Sequence, residues 1–257
     1  MFIFVIFFVG VLYRVLREDK ASIEEQKNIG IPDSSRDVKV VFNIQINGID
    51  IPFERTVVYK YNDGVKGEMY NYLDIVPEVT TSFLDKVLIF KDLKTKTIGV
   101  KIKSGKDNAK GELQLELPKN WLVSPKSIPF NLEKKGIEQI VYFEVTPPTK
   151  SDEAVAKSVA IIDNKRFDKE QIIIDFNHIT KQQVLKSAEA KCIKLDLNVN
   201  KERIGYIMGA GDEVPKSLIQ MGYRVTILKP EEITPEKIAA FDAIITGVRA
   251  YNTIPSL

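Results

Sequence analysis

The chain has 257 residues, 37 of them basic and 35 acidic, with 44% hydrophobic and 28% charged positions. That composition is globular, and a net charge of +2 supplies no basic patch for a nucleic-acid partner. One cysteine, Cys192, excludes an intrachain disulfide, and one histidine, His178, excludes a zinc site built from several His or Cys ligands of this chain.

Residues 1–13, from Met1 to Tyr13, are almost wholly apolar, and Arg14 and Arg17 follow. The run is shorter than the roughly 20 residues that span a bilayer. Its charges come after the apolar stretch, the reverse of a secretory signal. Three readings stay open: a short anchor that touches the membrane through Met1 to Tyr13, a degenerate export signal, or a start inside a longer gene. The location expected is extracytoplasmic, either periplasmic or membrane-anchored. Residues 18–36 are polar and end in Gly30, Pro32, Asp33, Ser34 and Ser35, which reads as a short helix or linker.

From residue 37 to about 198 the dominant period is two. Phe42, Ile44 and Ile46 alternate with Asn43, Gln45 and Asn47. Asn47-Gly48 then marks a hairpin turn, the return strand is expected from Ile51 on to Tyr61, with Val57, Tyr59 and Tyr61 on one face, and Asn62-Asp63-Gly64 is the next turn. The same alternation recurs at Ile98, Val100 and Ile102, at Leu113, Leu115 and Leu117, and at Val141, Phe143 and Val145. It returns at Ile172, Ile174 and Phe176, and at Ile193, Leu195 and Leu197. One apolar and one polar face per strand predicts antiparallel sheets with one buried side, in an Ig-like β-sandwich region. A break near Val76-Pro77-Glu78 suggests a small β unit over 37–78 and a sandwich over 79–198. A single irregular sandwich is the alternative. Trp121 is expected in the core rather than as a sugar-stacking platform.

At Arg203 the pattern changes. Residues 204–208 form a short apolar run that ends at Gly209 and Gly211. Asp212 is expected to cap a helix containing Pro215, with Val214, Leu218 and Met221 at helical spacing and Gly222 as the stop. Strands follow over 223–228 and 243–246, separated by a short helix with Thr234 as its cap and Pro235 first. This β-α-β-α-β order opens a parallel, doubly wound sheet over 203–257. Three strands and two short helices cannot cover both faces, so the α/β unit is expected to be truncated or completed by a partner. Gly209-Ala210-Gly211 is a poor dinucleotide fingerprint, because Val214 stands where a third glycine belongs and Asp212-Glu213 put negative charge where a phosphate would sit.

The stretches FNIQINGIDIPFERTVVYKYNDGVKGEMY, DIVPEVTTSF and IGYIMGAGDEVPKSLIQMGYRVTIL, with FDAIITGVRAYNT further on, resemble the C-terminal half of large PIG-L (LmbE-like) deacetylases of Bacteroidetes type. The segment ELPKNWLVSPKSIPFNL is similar to sandwiches that accompany carbohydrate-active enzymes. The resemblance runs from about Glu18 onward. It implies a zinc-dependent N-acetylglucosaminyl deacetylase domain ahead of sandwich domains, then a domain like class I glutamine amidotransferases or the ThuA-like group. The His-Pro-Asp-Asp-like motif of the deacetylases is absent here, and Cys192 in AKCIKLDL does not match an amidotransferase elbow.

No catalytic residue, metal or cofactor is therefore expected. The expected role is a non-catalytic, glycan-directed accessory region whose partner is a deacetylase domain or a glycan. A partial amidotransferase-like or ThuA-like enzyme and a membrane-anchored adhesion module are the alternatives. The candidate ligand-binding residues are Gly209 and Asp212 after the first parallel strand and Arg249, Tyr251 and Asn252 after the third, because such folds bind ligands at the carboxyl ends of their strands.

Overall fold

A computed structural model describes residues 38–176, 179–199 and 202–254. The expectations for residues 1–36 and for His178 lie outside them. The protein is mainly β, with several antiparallel sheets, and its contacts divide it into two compact units: Met1–Val76 with Ile172–Val184, and Pro77–Gln171 with Leu185–Leu257. No helix among the described residues is long and apolar enough to cross a membrane.

The first unit begins with two hairpins. β1 (Lys39–Ile46) pairs antiparallel with β2 (Ile49–Thr56) through a turn in which Asn47 and Gly48 both have positive φ, at 51° and 81°. That is the conformation an Asn-Gly hairpin turn requires. β3 (Val58–Asp63) pairs with β4 (Gly67–Tyr72). The expected return strand through Tyr61 is thus two strands that break at Val57. At Val57 the backbone passes from one hairpin to the next, its amide donating to Val38 O and its carbonyl accepting from the Leu73 amide. The turn expected at Asn62-Asp63-Gly64 closes the second hairpin, where Asp63 Oδ1 accepts from the Val65 and Lys66 amides at 2.9 Å. Tyr59 and Tyr61 do share a face of β3, their rings stacked 5.6 Å apart.

The second unit holds two sheets over one core. β5 (Val79–Phe83), β7 (Lys96–Ser104), β11 (Glu138–Thr146) and β9 (Leu122–Ser124) form one sheet, with neighbours in the order β5-β7-β11-β9. The other runs β10 (Ser127–Leu132), β8 (Ala109–Glu116), β12 (Asp152–Ile162), β16 (Glu189–Lys194), β6 (Val87–Phe90), and β13 (Lys165–Phe167) pairs with β12. Between β13 and β16 in sequence come β14 (Lys169–Ile174) and β15 (Gln182–Ser187), which pair with each other; residues Ile172–Val184 of this stretch belong to the first unit. Ile98, Val100, Ile102, Leu113, Leu132, Phe143 and Val145 are at most 2% exposed in a core drawn from both sheets. Trp121 belongs to that core. It meets Phe90 edge to face at 5.1 Å, and its indole N–H donates to Asp152 at 2.7 Å, as a buried Trp requires. That bond, with one from Asn120, holds the Asp152 carboxyl below its usual range.

β16 reverses the expected face. Ala190, Cys192 and Lys194 point into the core, while Ile193 and Leu195 turn outward. Alternation fixes only which residues share a side. The pairing of β16 between β12 and β6 decides which side is covered, and the small Ala190 and Cys192 fill it. Lys194 sits there because its ammonium is paired with Asp196, so its stem is buried while its charge is met.

The remaining elements are β17 (Arg203–Ile207), α1 (Val214–Met221), β18 (Arg224–Leu228), a 3-10 turn (Pro230–Glu232), α2 (Pro235–Ile238), β19 (Ala243–Thr246) and α3 (Ala250–Thr253). The three strands pair in parallel in the order β18-β17-β19. Gly222 ends α1 in the left-handed region at φ 109°, and Thr234 caps α2 by accepting from the Lys237 amide.

Candidate functional site

β17 is the middle strand of the parallel sheet. The chain leaves it for β18 on one side and later returns to β19 on the other. Strand order therefore reverses beside β17, and the crevice outside the carboxyl ends of β17 and β19 is where α/β sheets take ligands.

The sequence fills that crevice with its own groups. The Gly247 amide donates to Ile207 O at 2.8 Å, and the Ala210 amide donates to Val248 O at 2.8 Å. The two strand ends are pressed together, so that a Cβ on Gly209 would lie 2.0 Å from Val248 O. Only glycine fits there. The Gly209 requirement is thus a backbone approach in a tight strand-to-helix turn. A Cβ on Gly247 would likewise lie 2.6 Å from Asp212 Oδ2.

Asp212 joins both strand ends. Its Oδ1 accepts from the Tyr206 hydroxyl at 2.7 Å, and its Oδ2 accepts from the Val248 amide at 3.1 Å. It does not cap α1: Glu213 holds that position, and no side chain bonds the first turn. Both carboxylate oxygens are already engaged, which is the physical reason. Tyr206 is buried, and burial first, then its bond to Asp212, pushes the phenol up to about 12. It is a fixed donor and not a base at neutral pH.

Arg249 has φ 58°, in the left-handed region, and opens α3. Its carbonyl accepts from the Asn252 and Thr253 amides at 2.9 and 3.1 Å. Arg249, Tyr251 and Asn252 are exposed, and none of their side chains makes a hydrogen bond among the described residues. The structure therefore brings Gly209 and Asp212 together with Gly247 and Val248, and sets the other three candidates in the exposed turn that follows. Together these three present a guanidinium, a phenol and a carboxamide to solvent.

Two residues of this region were not evident from sequence. Tyr206 is one; its only signal is a phenol interrupting an apolar strand six residues before Asp212. Gln220 is the other. Its Oε1 accepts from the Ile89 amide at 2.6 Å, and its Nε2 donates to Val87 O at 3.3 Å. The carboxamide of α1 thus takes two of the outward-facing backbone groups of the edge strand β6, as a neighbouring strand would. Ile89 O, the next one along, accepts from Lys96. Lys216 lies 3.9 Å from Asp85 and 2.8 Å from Glu213, and its ammonium is held above its usual range chiefly by Glu213.

Elsewhere, Cys192 is fully buried, and burial pushes its thiol up to about 12, so it is inert at neutral pH. Among the described residues there is no cluster of three or more His, Cys, Asp or Glu side chains that would hold a metal ion.

No protein-family model matches the chain, and no curated protein matches it. Parts of several solved structures are similar to it. A Salmonella alpha-2-macroglobulin mutant has a TM-score of 0.31 at 11% identity, over 50% of this chain and 8% of that one. A family 123 glycoside hydrolase from Clostridium perfringens has a TM-score of 0.29 at 7% identity, over 51% and 30%. WR4, a C. elegans MSP family member, has a TM-score of 0.25 at 13% identity, over 46% and 98%. The chain thus spans less than a tenth of the alpha-2-macroglobulin it matches.

Proposed function

We propose that this protein is a non-catalytic accessory region of a PIG-L-like N-acetylglucosaminyl deacetylase system, with an Ig-like sandwich and an amidotransferase-like or ThuA-like α/β unit that hold a glycan-directed enzyme at its substrate. The observation that carries this reading is the join made by Gln220. An accessory region works by positioning, and positioning needs its parts fixed to one another. The two Gln220 hydrogen bonds tie the α/β unit to the edge of the sandwich within one compact unit. The groups a catalyst would use are committed to structure: Asp212 and Tyr206 to the strand-end turn, Cys192 to the core. The exposed Arg249, Tyr251 and Asn252 form the face offered to a deacetylase domain or a glycan. Placement outside the cytoplasm belongs to the same reading.

The test adds the full chain to a separately purified PIG-L-type deacetylase domain and follows acetate release from N-acetylglucosamine and from its polymer. The chain alone releases no acetate, with or without zinc. In the mixture it lowers KM for the polymer and leaves the monosaccharide unchanged. Zinc-stimulated acetate release by the chain alone refutes the non-catalytic reading, and an unchanged KM for both substrates refutes the positioning role.

A further inference from the structure

The β1–β2 hairpin carries an apolar face that nothing in the described chain covers. Its register pairs Phe42 with Phe53, Ile44 with Ile51, and Ile46 with Ile49. Strand alternation puts all six on one side. The other side carries Lys39, Asn43, Gln45, Asp50 and Glu54, with Val41 the large apolar exception. The six apolar residues are between 42% and 67% exposed. Arg55 marks one rim, its guanidinium 4.0 Å above the Phe53 ring.

We infer that this face is the interface between two copies of the chain, stacked hairpin on hairpin about a twofold axis. Three arguments converge on a second copy. The first is area. With a large side chain worth about 200 Å² when fully exposed, the six leave roughly 600 Å² of apolar surface per copy, the upper end of what a monomer shows. Two such faces bury about 1,200 Å², the lower end of a specific interface. The second is self-complementarity. The face has no charge in its interior, so a twofold operation sets apolar pairs against apolar pairs with the arginines at the rim. The third is stability. A two-stranded hairpin is marginal in water, and stacking two of them supplies the four strands and the buried face that one lacks.

The experiment is sedimentation velocity of the full chain across a wide concentration range, with hydrogen exchange of residues 39–56 measured in parallel. The chain dimerises, and exchange in the hairpin slows as the dimer fills. Ile44→Lys combined with Ile51→Lys places charges face to face and weakens dimerisation by at least about a hundredfold. Gln45→Lys, on the polar side, leaves it unchanged. Because the substituted residues lie on the open face, the variant keeps the thermal transition of the sandwich, which shows that it is folded. A monomer at every concentration overturns the inference. So does hairpin protection that is independent of concentration, or a dimer that survives the double substitution.

Discussion

β1 and β7 are written in the same alternating pattern and have opposite fates. In β7, Ile98, Val100 and Ile102 lie in the core at 2% exposure or less, because β5 and β11 flank the strand and the facing sheet closes over its inner side. In β1, Phe42, Ile44 and Ile46 project from a strand whose ladder partner among the described residues is β2 alone. Period-two alternation states that a strand has one side to bury. It does not say whether the chain itself supplies the cover. That depends on how many strands join the sheet and whether a second sheet faces it, and both are set far away in sequence.

The sharpest way to break this comparison is to remove one phenyl ring from each region. Phe143→Ala should cost about 3–5 kcal/mol, because its site is fully enclosed and a cavity remains. Phe42→Ala, in dilute protein, should cost less than about 1 kcal/mol, since the ring is half in water already. Urea unfolding of both variants measures the difference. Equal losses would mean that the hairpin face is buried within the monomer.

The next effect is alkaline. The Cys192 thiol in the sandwich rises from an ordinary 9.0 to about 12, and the Tyr206 phenol at the parallel strands rises from 10.0 to about 12. Both folded values lie above the unfolded ones, so the folded state holds these protons more tightly. Their contribution is fully present below pH 9 and is lost as pH climbs towards 12. The melting temperature should fall over that window. Cys192→Ala should flatten the fall from pH 9 upward, and Tyr206→Phe only from pH 10. In native protein at pH 8, Cys192 should not react with a thiol reagent until the chain unfolds. Rapid labelling would show that β16 is open.

The smallest effect lies at Ser158 in the sandwich. Its hydroxyl is buried without a hydrogen-bond partner among the described residues. Ser158→Ala should be neutral or stabilise by up to about 1 kcal/mol, the reverse of most core substitutions. A loss of more than about 1 kcal/mol in urea unfolding would mean that the hydroxyl has a partner in solution.

The strands were legible where side chain and pairing agree. Ile98 to Ile102 and Val141 to Val145 alternate in sequence and in burial alike. In β16 the more apolar Ile193, like Leu195 just beyond it, faces outward, because the covered side beside β12 takes Ala190 and Cys192, and Lys194 carries its own counter-ion. The turn at Asp63 was legible from Asn62-Asp63-Gly64, but the break at Val57 was not, since it lies in backbone bonds to Val38 and Leu73 that hydropathy does not report. At the parallel strands, Gly209, Gly222 and Thr234 could be read from local conformational needs. Asp212 as the tie between Tyr206 and Val248 could not, since it depends on β19 arriving 36 residues later.

The account rests most heavily on Gln220 as the join between the sandwich and the α/β unit. Hydrogen exchange of the full chain and of its Gln220→Leu variant tests it directly. In the unsubstituted protein, the amides of β17 and of β6 should be protected to similar degrees. In the variant, which leaves Val87 O and Ile89 N–H without their partner, β17, β18 and β19 should exchange at least about tenfold faster while β7 and β11 are unchanged, a loss of about 1.4 kcal/mol or more. If the parallel strands keep their protection in the variant, the unit stands by itself and the join is not what holds it.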